Sequence, residues 1–479
     1  MNYFLSLSML CTAFACSKAY GLSLEKDKRR PNVLFLIVDD LRPELGCYGN
    51  SNIISPNIDK IAREGILFKN AYCQIALCMP SRASVFSGLR PESNGITWPW
   101  HITLKSMPSN VISLPQLFKN EGYTTISIGK VYHFNDDDPD AWTRRYTDTF
   151  YEGKDGYSSG YQKESNIMSL VNYSKSKKGE GEYLPRPNSY EVSDASDEAY
   201  PDGMIANRAI EELKKLEKEK NPFFLAAGFY RPHLPFALPE KYWNMYKSEN
   251  IKNAPNPQPV TDGVTTNDWD ELRRYGDIPK KGALSEKKAK EIIQGYYSSI
   301  TFTDAQIGKV MFEFKKLGLD KNTIVILWGD NGWNLGEHGW WCKHTNYEVS
   351  TRITMIISTP DMKKNQVTDA LVELVDIYPS LCELVDIRTP SYIEGTSVVP
   401  VMEVPDRQWK TAVFSQFGDA KTIRTENYRL IKHKNGQLEL FDHVKDPGEN
   451  RNVANHLEYM EIQDILIKQL EAGWKAGKP

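Results

Sequence analysis

The chain reads as an α/β protein: a mostly parallel sheet flanked by helices, followed by a smaller α+β subdomain. Three observations predict it. Continuous apolar runs recur at Val33–Val38, Phe223–Ala227 and Thr323–Trp328, the pattern of strands covered on both faces. Segments with helical spacing and stop signals stand between these runs. Past about residue 405 the pattern changes to short alternating runs and one closing helix.

Residues 1–20 come first. Tyr3 to Ala15 is apolar but too short to span a bilayer, and Ala13-Phe14-Ala15 before Cys16 is a cleavage site of the A-x-A type. This reads as a signal peptide, placing the protein in a bacterial periplasm or at the cell surface. Cys16 also stands where a lipoprotein cysteine would, so export with or without a lipid anchor are two readings. The catalytic unit then spans 30–400 and the C-terminal subdomain 405–479.

Pro31-Asn32 leads into the first strand, which ends in Asp39-Asp40. Ser55-Pro56 opens a helix that runs to Glu64 and stops at Gly65. Ser81 to Ser87 has helical spacing with Gly88 as its stop, which sets Cys78 just ahead of a helix start. A helix from Leu114 to Glu121 ends at Gly122, and strand Thr124–Ile128 delivers Lys130 and His133. Residues 134–200 are a polar surface excursion of the kind that shapes a substrate entrance. The Glu211–Lys220 charge run is the wet face of a helix. Phe223–Ala227 leads to Arg231-Pro232-His233, with Pro232 and Pro235 holding a stiff extended segment. A proline-rich linker at Ala254–Pro259 precedes helical spacing from Ser285 to Leu317, and strand Thr323–Trp328 ends in Asp330-Asn331. Runs at Thr411–Gln416 and Tyr428–Lys432 predict a small antiparallel sheet, closed by a helix over Tyr459–Trp474. No internal repeat is visible.

At 479 residues, with 40% hydrophobic and 25% charged residues, the composition is that of a globular enzyme. A net charge of −3 gives no case for nucleic acid or a membrane surface, so an anionic substrate needs a local basic pocket. Seven cysteines in this length are no disulfide scaffold.

Two strands end in oxygen-bearing pairs, Asp39-Asp40 and Asp330-Asn331. In open α/β sheets the ligand crevice lies beyond the carboxyl ends of the strands. Three carboxylates and an amide meeting there repel one another unless a cation sits between them, and the donor set suits Ca²⁺ or Mg²⁺ rather than zinc. Either pair alone also reads as a turn cap; both together with Cys78 favour the metal. At a helix start, an anion formed at Cys78 is favoured by the dipole and open N–H groups; the bland alternative is a small buried thiol. Lys130, His133 and His233 follow strands, and Gly336-Glu337-His338-Gly339-Trp340-Trp341-Cys342-Lys343-His344 follows the second metal strand. His338 reads as structural and His344 is open. Trp98, Trp100, His101, Trp340 and Trp341 are candidates for stacking on sugar rings, against ordinary packing.

Cys78-Met79-Pro80-Ser81-Arg82 resembles the C-x-P-S-R signature of the sulfatase family. The resemblance runs from about Pro31 to the C-terminal segment, including Glu439-Leu440-Phe441-Asp442 and Asp446 to Asn452, and is nearest the iduronate-2-sulfatase branch. Members usually continue Leu-Thr-Gly-Arg where this chain has Phe86-Ser87-Gly88-Leu89-Arg90. The resemblance implies an alkaline-phosphatase-like fold and oxidation of Cys78 to formylglycine by a maturation enzyme. It also implies one Ca²⁺ held by Asp39, Asp40, Cys78, Asp330 and Asn331. On this scheme the hydrated aldehyde attacks sulfur, Lys130 and Lys343 neutralise sulfate oxygens, and Arg82 holds the hydrate. His233, with Lys343, protonates the leaving oxygen, and His133 takes the proton that lets sulfate depart. The implied substrate is a 2-O-sulfated iduronate or unsaturated uronate in heparin, heparan or a related glycan. Alternatives are a 6-O-sulfated hexosamine, a phosphodiesterase or phosphonate hydrolase on the same scaffold, and a non-catalytic glycan-binding relative.

Overall fold

The computed structural model describes residues 30–98, 107–133, 137–146, 159–177, 184–266 and 271–479. The predicted signal peptide, Cys16, Trp100, His101 and part of the 134–200 excursion lie outside the described residues.

The apolar runs become the middle of one sheet. Its strands are β1 (Asn32–Val38), β2 (Ile66–Tyr72), β3 (Thr124–Gly129), β4 (Arg144–Tyr146), β5 (Phe223–Phe229), β6 (Thr323–Gly329), β7 (Arg352–Ile353), β8 (Met355–Ser358) and β9 (Gln366–Glu373). Side by side they run β7-β2-β8-β6-β1-β5-β3-β4, with β9 also paired to β2. From β6 to β4 every pairing is parallel, whereas β8 is antiparallel to both β6 and β2. The sequence reading places no strand at β2, β8 or β9.

The principal helices are α1 (Pro56–Glu64), α2 (Cys78–Ser87), α3 (Leu114–Asn120), α4 (Pro201–Leu216), α5 (Glu286–Lys316) and α6 (Ile377–Leu384). Side chains alternate across a strand, so β1 serves two cores at once. Leu34, Leu36 and Val38 pack with α1, α4 and α5, and Val33, Phe35 and Ile37 pack with α2, α3 and α6. All six are fully buried, each worth about 1.5–3 kcal/mol of transfer free energy. That double burial is why β1 has no polar alternation.

Local signals set most boundaries. Pro56 opens α1 and Ser285 caps α5, its hydroxyl accepting from the Lys288 N–H. Ser55, read as a cap, takes no helix N–H on its hydroxyl, which accepts from Gly46 N–H and donates to the Asp59 side chain of α1. Residues 164–177, inside the predicted excursion, form a helix whose Asn166 and Leu170 are buried. Past residue 405, β10 (Ala412–Phe417), β11 (Ala420–Thr425), β12 (Tyr428–His433) and β13 (Leu438–Asp442) form an antiparallel meander. Helix α7 (Met460–Ala472) covers it through Leu466 against Phe414, Ile423 and Leu430. Cys47, Cys73, Cys78, Cys342 and Cys382 form no disulfides with one another.

Candidate active site

Four parallel neighbours, β6, β1, β5 and β3, end at the same edge, and the register sets their exits beside one another. Val38 pairs with both Gly329 and Phe229, and Gly129 pairs with Gly228. Asp39, Asp330, Lys130 and Tyr230 therefore leave the sheet side by side. A crossing this tight needs glycine: Gly129 sits at φ +71°, and a Cβ on Gly228 would lie 1.9 Å from the Lys130 carbonyl.

Asp40 is held in the left-handed region at φ 58°. Its N–H donates to Asp330 Oδ1 at 2.9 Å, and its carbonyl accepts from the Tyr296 hydroxyl of α5 at 2.7 Å. Cys78 is the first residue of α2 rather than just ahead of it, because Leu77 is the extended N-cap. Pro80 fits the first turn, whose N–H groups lack helical partners anyway. Its thiol lies 3.6 Å from Asp40 Oδ1 and 3.2 Å from Lys343 Nζ.

Arg82, one turn along α2, ties the edge together. Its guanidinium reaches Asp39 at 3.0 Å, Asp330 at 2.8 Å and the Val131 carbonyl at 3.0 Å, and also meets the Lys130 carbonyl. Lys130 pairs with Asp39, and Lys343 with both Asp40 oxygens at 2.6 and 2.8 Å. The Lys343 ammonium also lies 5.2 Å from the centre of the Trp333 ring. His233 Nε2 stands 3.8 Å from both Asp40 and Glu271, while its Nδ1 donates to the Leu234 carbonyl at 2.5 Å. The His233 segment is a turn and not the extended run expected, with Arg231-Pro232 and Leu234-Pro235 both cis. Asp202 of α4 fixes it by accepting from the N–H groups of Tyr230 and Arg231.

The electrostatics are uneven. Burial would raise Asp39, but Lys130, His233 and Arg82 hold it well below the carboxylate range. Burial pushes Asp40 to about 7 against the pull of Lys343, with Asp39 and Asp330 adding repulsion. Asp330 is likewise raised by burial, Arg82 notwithstanding. Burial is opposed at Lys343 by Asp40 and the Cys78 sulfur, and the ammonium ends far above its usual range. Burial, with Lys343 and Lys130, takes His233 to about 3; burial and Lys130 likewise keep half-buried His133 neutral.

The residues fit a hard divalent cation. The ligand atoms of Asp39, Asp40, Cys78 and Asp330 all lie within 4.8 Å of one another. Asn331 donates through its amide to Asp40 Oδ1 and the Gly332 carbonyl, which fixes the amide's orientation. That leaves the buried Asn331 Oδ1 without a partner among the described residues. An orphaned acceptor beside frustrated carboxylates is what a bound cation satisfies.

The sugar-stacking candidates separate. Trp98 and His344 both stand against Phe417, at 6.3 and 5.6 Å between rings, beside a cavity of about 210 Å³ lined by His344, Asn346, Asp419 and His433. Trp340 stacks on Tyr347 at 4.9 Å, and Trp341 is buried in the main core, so Trp341 is packing and not a sugar platform. His338 is buried edge-on to both the Trp340 and Tyr347 rings, in keeping with a structural role. Sequence reasoning missed Glu271 and Arg186, which pair at 3.3 Å next to His233. Neither sits in a motif or after an apolar run.

The family model described as Sulfatase matches residues 31–387, and one described as N-sulphoglucosamine sulphohydrolase, C-terminal, matches residues 336–475. A "Sulfatase" of Formosa agariphila is 31% identical, over 99% of this chain and 93% of its own length. The "Iduronate 2-sulfatase" of Mus musculus is 32% identical, over 81% of this chain and 74% of its own. Among solved structures, one described as a complex with its substrate D-glucosamine-2-N,6-O-disulfate superposes with a TM-score of 0.72. It is 23% identical and covers 94% of this chain and 98% of its own.

Proposed function

The chain belongs to the sulfatase family and is a sulfuric ester hydrolase, and we propose that it removes 2-O-sulfate from uronic acid residues, iduronate or unsaturated uronate, in heparin, heparan or a related glycan. The observation that carries the chemistry is Cys78 at a helix start, 3.2 Å from Lys343 and 3.6 Å from Asp40. The uronate assignment rests on the similarity to the mouse iduronate 2-sulfatase.

Asp39, Asp40, Asp330 and Asn331, with residue 78, would hold the cation, which we take as Ca²⁺; when bound it supplies Lewis-acid polarisation of a sulfate oxygen. Formylglycine at position 78, made by a maturation enzyme, supplies the hydrated aldehyde used as nucleophile. The remaining work falls to this chain's own side chains. The start of α2 presents residue 78 where negative charge is favoured. Arg82 fixes Asp39 and Asp330 and offsets their charge. Lys130 and Lys343 stay protonated and face the sulfate oxygens; a preorganised donor of this kind is typically worth about 3 kcal/mol in the transition state. His233 has its Nδ1 proton committed to Leu234, so Nε2 is the atom that carries a proton to the leaving oxygen. Burial and the two lysines keep it neutral without substrate; an anionic sulfate ester that neutralises the lysines moves it back toward imidazolium. His133 accepts the proton whose loss releases sulfate. Trp98 and His344 border the sugar.

We also propose the division at about 400–405 and export through residues 1–20, with or without lipid on Cys16. No helix among the described residues is long and apolar enough to cross a membrane.

Defined sulfated disaccharides, with desulfation followed by chromatography, test the assignment. Release from 2-O-sulfated uronate is expected. A preference for 6-O-sulfated hexosamine, the chemistry named for the structural neighbour, overturns the position, and faster cleavage of phosphate or phosphonate esters of one phenol overturns the reaction class.

A further inference from the structure

Glu271 has no part in the scheme above, yet it is buried at its centre. It opens a short turn, Glu271–Arg274, and is 9% exposed. Its two oxygens are divided between the groups assigned to the leaving oxygen: Oε1 is 3.8 Å from His233 Nε2, and Oε2 is 3.8 Å from Lys343 Nζ. Oε1 is also 3.3 Å from Arg186 Nη1, which in turn reaches the Tyr275 hydroxyl at 3.4 Å. Backbone bonds lock this anchor in place: Arg186 N–H donates to the Arg274 carbonyl, and Gly276 N–H to the Arg186 carbonyl, both at 2.9 Å.

Burying a carboxylate costs several kcal/mol unless its surroundings repay it. Lys343 does not require Glu271 for charge balance, since Asp40 already lies at 2.6 Å. Asp40, however, belongs to the metal set. Among the described residues, Glu271 is the carboxylate outside that set which both His233 and Lys343 face.

We propose that Glu271, held by Arg186, is a positioning residue that keeps His233 and Lys343 aimed together at the oxygen leaving with the sugar. The proposal rests on the sulfatase reading of those two residues. Glu271 works through them and not on the sulfate, so its importance scales with how much the leaving group needs a proton. A 4-nitrophenolate departs unaided, whereas a phenolate, with a pKa near about 10, or a sugar alkoxide does not.

The test compares wild type with Glu271→Gln across aryl sulfates from 4-nitrophenyl to phenyl, together with a 2-O-sulfated disaccharide. Misplacement of a catalytic group by an ångström costs on the order of 100-fold. The expected result is a kcat within about threefold of wild type for 4-nitrophenyl sulfate, with the loss growing to about 100-fold for phenyl sulfate and the disaccharide. KM should move little. Glu271→Asp keeps the charge but shortens the reach; it should show the same steepening at lower amplitude, and it serves if the Gln variant does not fold. An equal loss across the series, or a rise in KM confined to the disaccharide, overturns the proposal. A wild type inactive on every sulfate ester counts against the sulfatase reading instead.

Discussion

Two buried clusters of acids and bases lie at opposite ends of the same argument. One is the carboxyl edge of the sheet around Cys78. The other joins β9 and α6 to the C-terminal segment: Glu373 takes both Arg90 nitrogens at 2.8 and 2.6 Å, Lys410 at 2.7 Å and the Phe414 N–H at 3.0 Å. Asp376 takes Lys410, the Thr396 N–H and the Glu373 N–H. There both oxygens of each carboxylate have partners. Burial would raise Glu373, but Arg90 and Lys410 hold it at about 2, and burial raises Asp376 beside it. At the sheet edge the same inventory of acids and cations leaves Asp40 at about 7 and Asn331 Oδ1 orphaned. Carboxylate oxygens are paired in both clusters, so buried charge alone does not mark a site; the sheet edge differs in leaving an acceptor orphaned, Asn331 Oδ1, where the orphan among the other network's charged groups is a donor, Arg90 Nε.

The difference is broken most directly at Cys78. Cys78→Ala should fold and lose turnover by a factor on the order of 10⁶, the scale of removing a nucleophile. Mass spectrometry of the peptide holding residue 78 should show an aldehyde; active enzyme carrying only free thiol would overturn the scheme. Chelation should also abolish activity, and Ca²⁺ should restore it. A ligand at 100 times its Kd adds about 2.7 kcal/mol to stability, so the melting temperature should rise with Ca²⁺. Chelation that leaves hydrolysis untouched would remove the cation from the mechanism.

Next in size is Lys343. Lys343→Ala should cost about 100- to 1,000-fold in kcat, the loss typical of one preorganised donor. Lys410→Ala, the matching lysine of the other cluster, should leave kcat unchanged and lower stability by about 3–5 kcal/mol, because it strands buried carboxylates. Paired kinetics and denaturant titrations separate the two effects. A kcat loss in the Lys410 variant with stability intact would erase the distinction drawn here.

How much of this was legible follows from which forces act locally. β1, β5 and β6 announce themselves because burial on both faces forbids polar alternation, and the residues that leave them are then placed by topology. That made Asp39, Asp40, Asp330 and Asn331 readable as one locus, with Lys130 after strand β3, while Cys78 joined them through its resemblance to the C-x-P-S-R signature. β2 was not readable: Lys69 and Asn70 interrupt its apolar pattern, and its role depends on neighbours arriving from residues 352 to 373. Glu271 and Arg186 were silent because their meaning comes from a pairing across 85 positions, with no periodicity to signal it. The turn at His233 was misread because two prolines predict extension, whereas the His233 N–H bonds back to the Tyr230 carbonyl and Asp202, distant in sequence, holds the turn. Trp341 stayed open between stacking and packing because aromatic composition does not say which way a ring faces.

The finest contrast is in pH dependence, where Glu373 and Asp40 have opposite signs. Burial would raise Glu373, but Arg90 and Lys410 depress it in the folded state, to about 2 from its ordinary 4.5. Between these values the unfolded chain binds more protons, so stability rises with pH; the contribution is complete above the unfolded value and lost as pH falls through about 2. Asp40 is raised, to about 7 from 3.8, chiefly by burial. Between those values the folded chain binds more protons, so stability falls as pH rises from about 4 to 7 in chelated enzyme. A divalent cation favours the ionised form and should flatten that fall. Denaturant titrations of chelated wild type and Asp40→Asn isolate the effect: the variant should show a shallower decline between pH 4 and 7, and Glu373→Gln should reduce only the rise at lower pH. If chelated wild type and Asp40→Asn run parallel across that window, Asp40 is as well satisfied as Glu373, and the sheet edge has no more need of a cation than the network at β9.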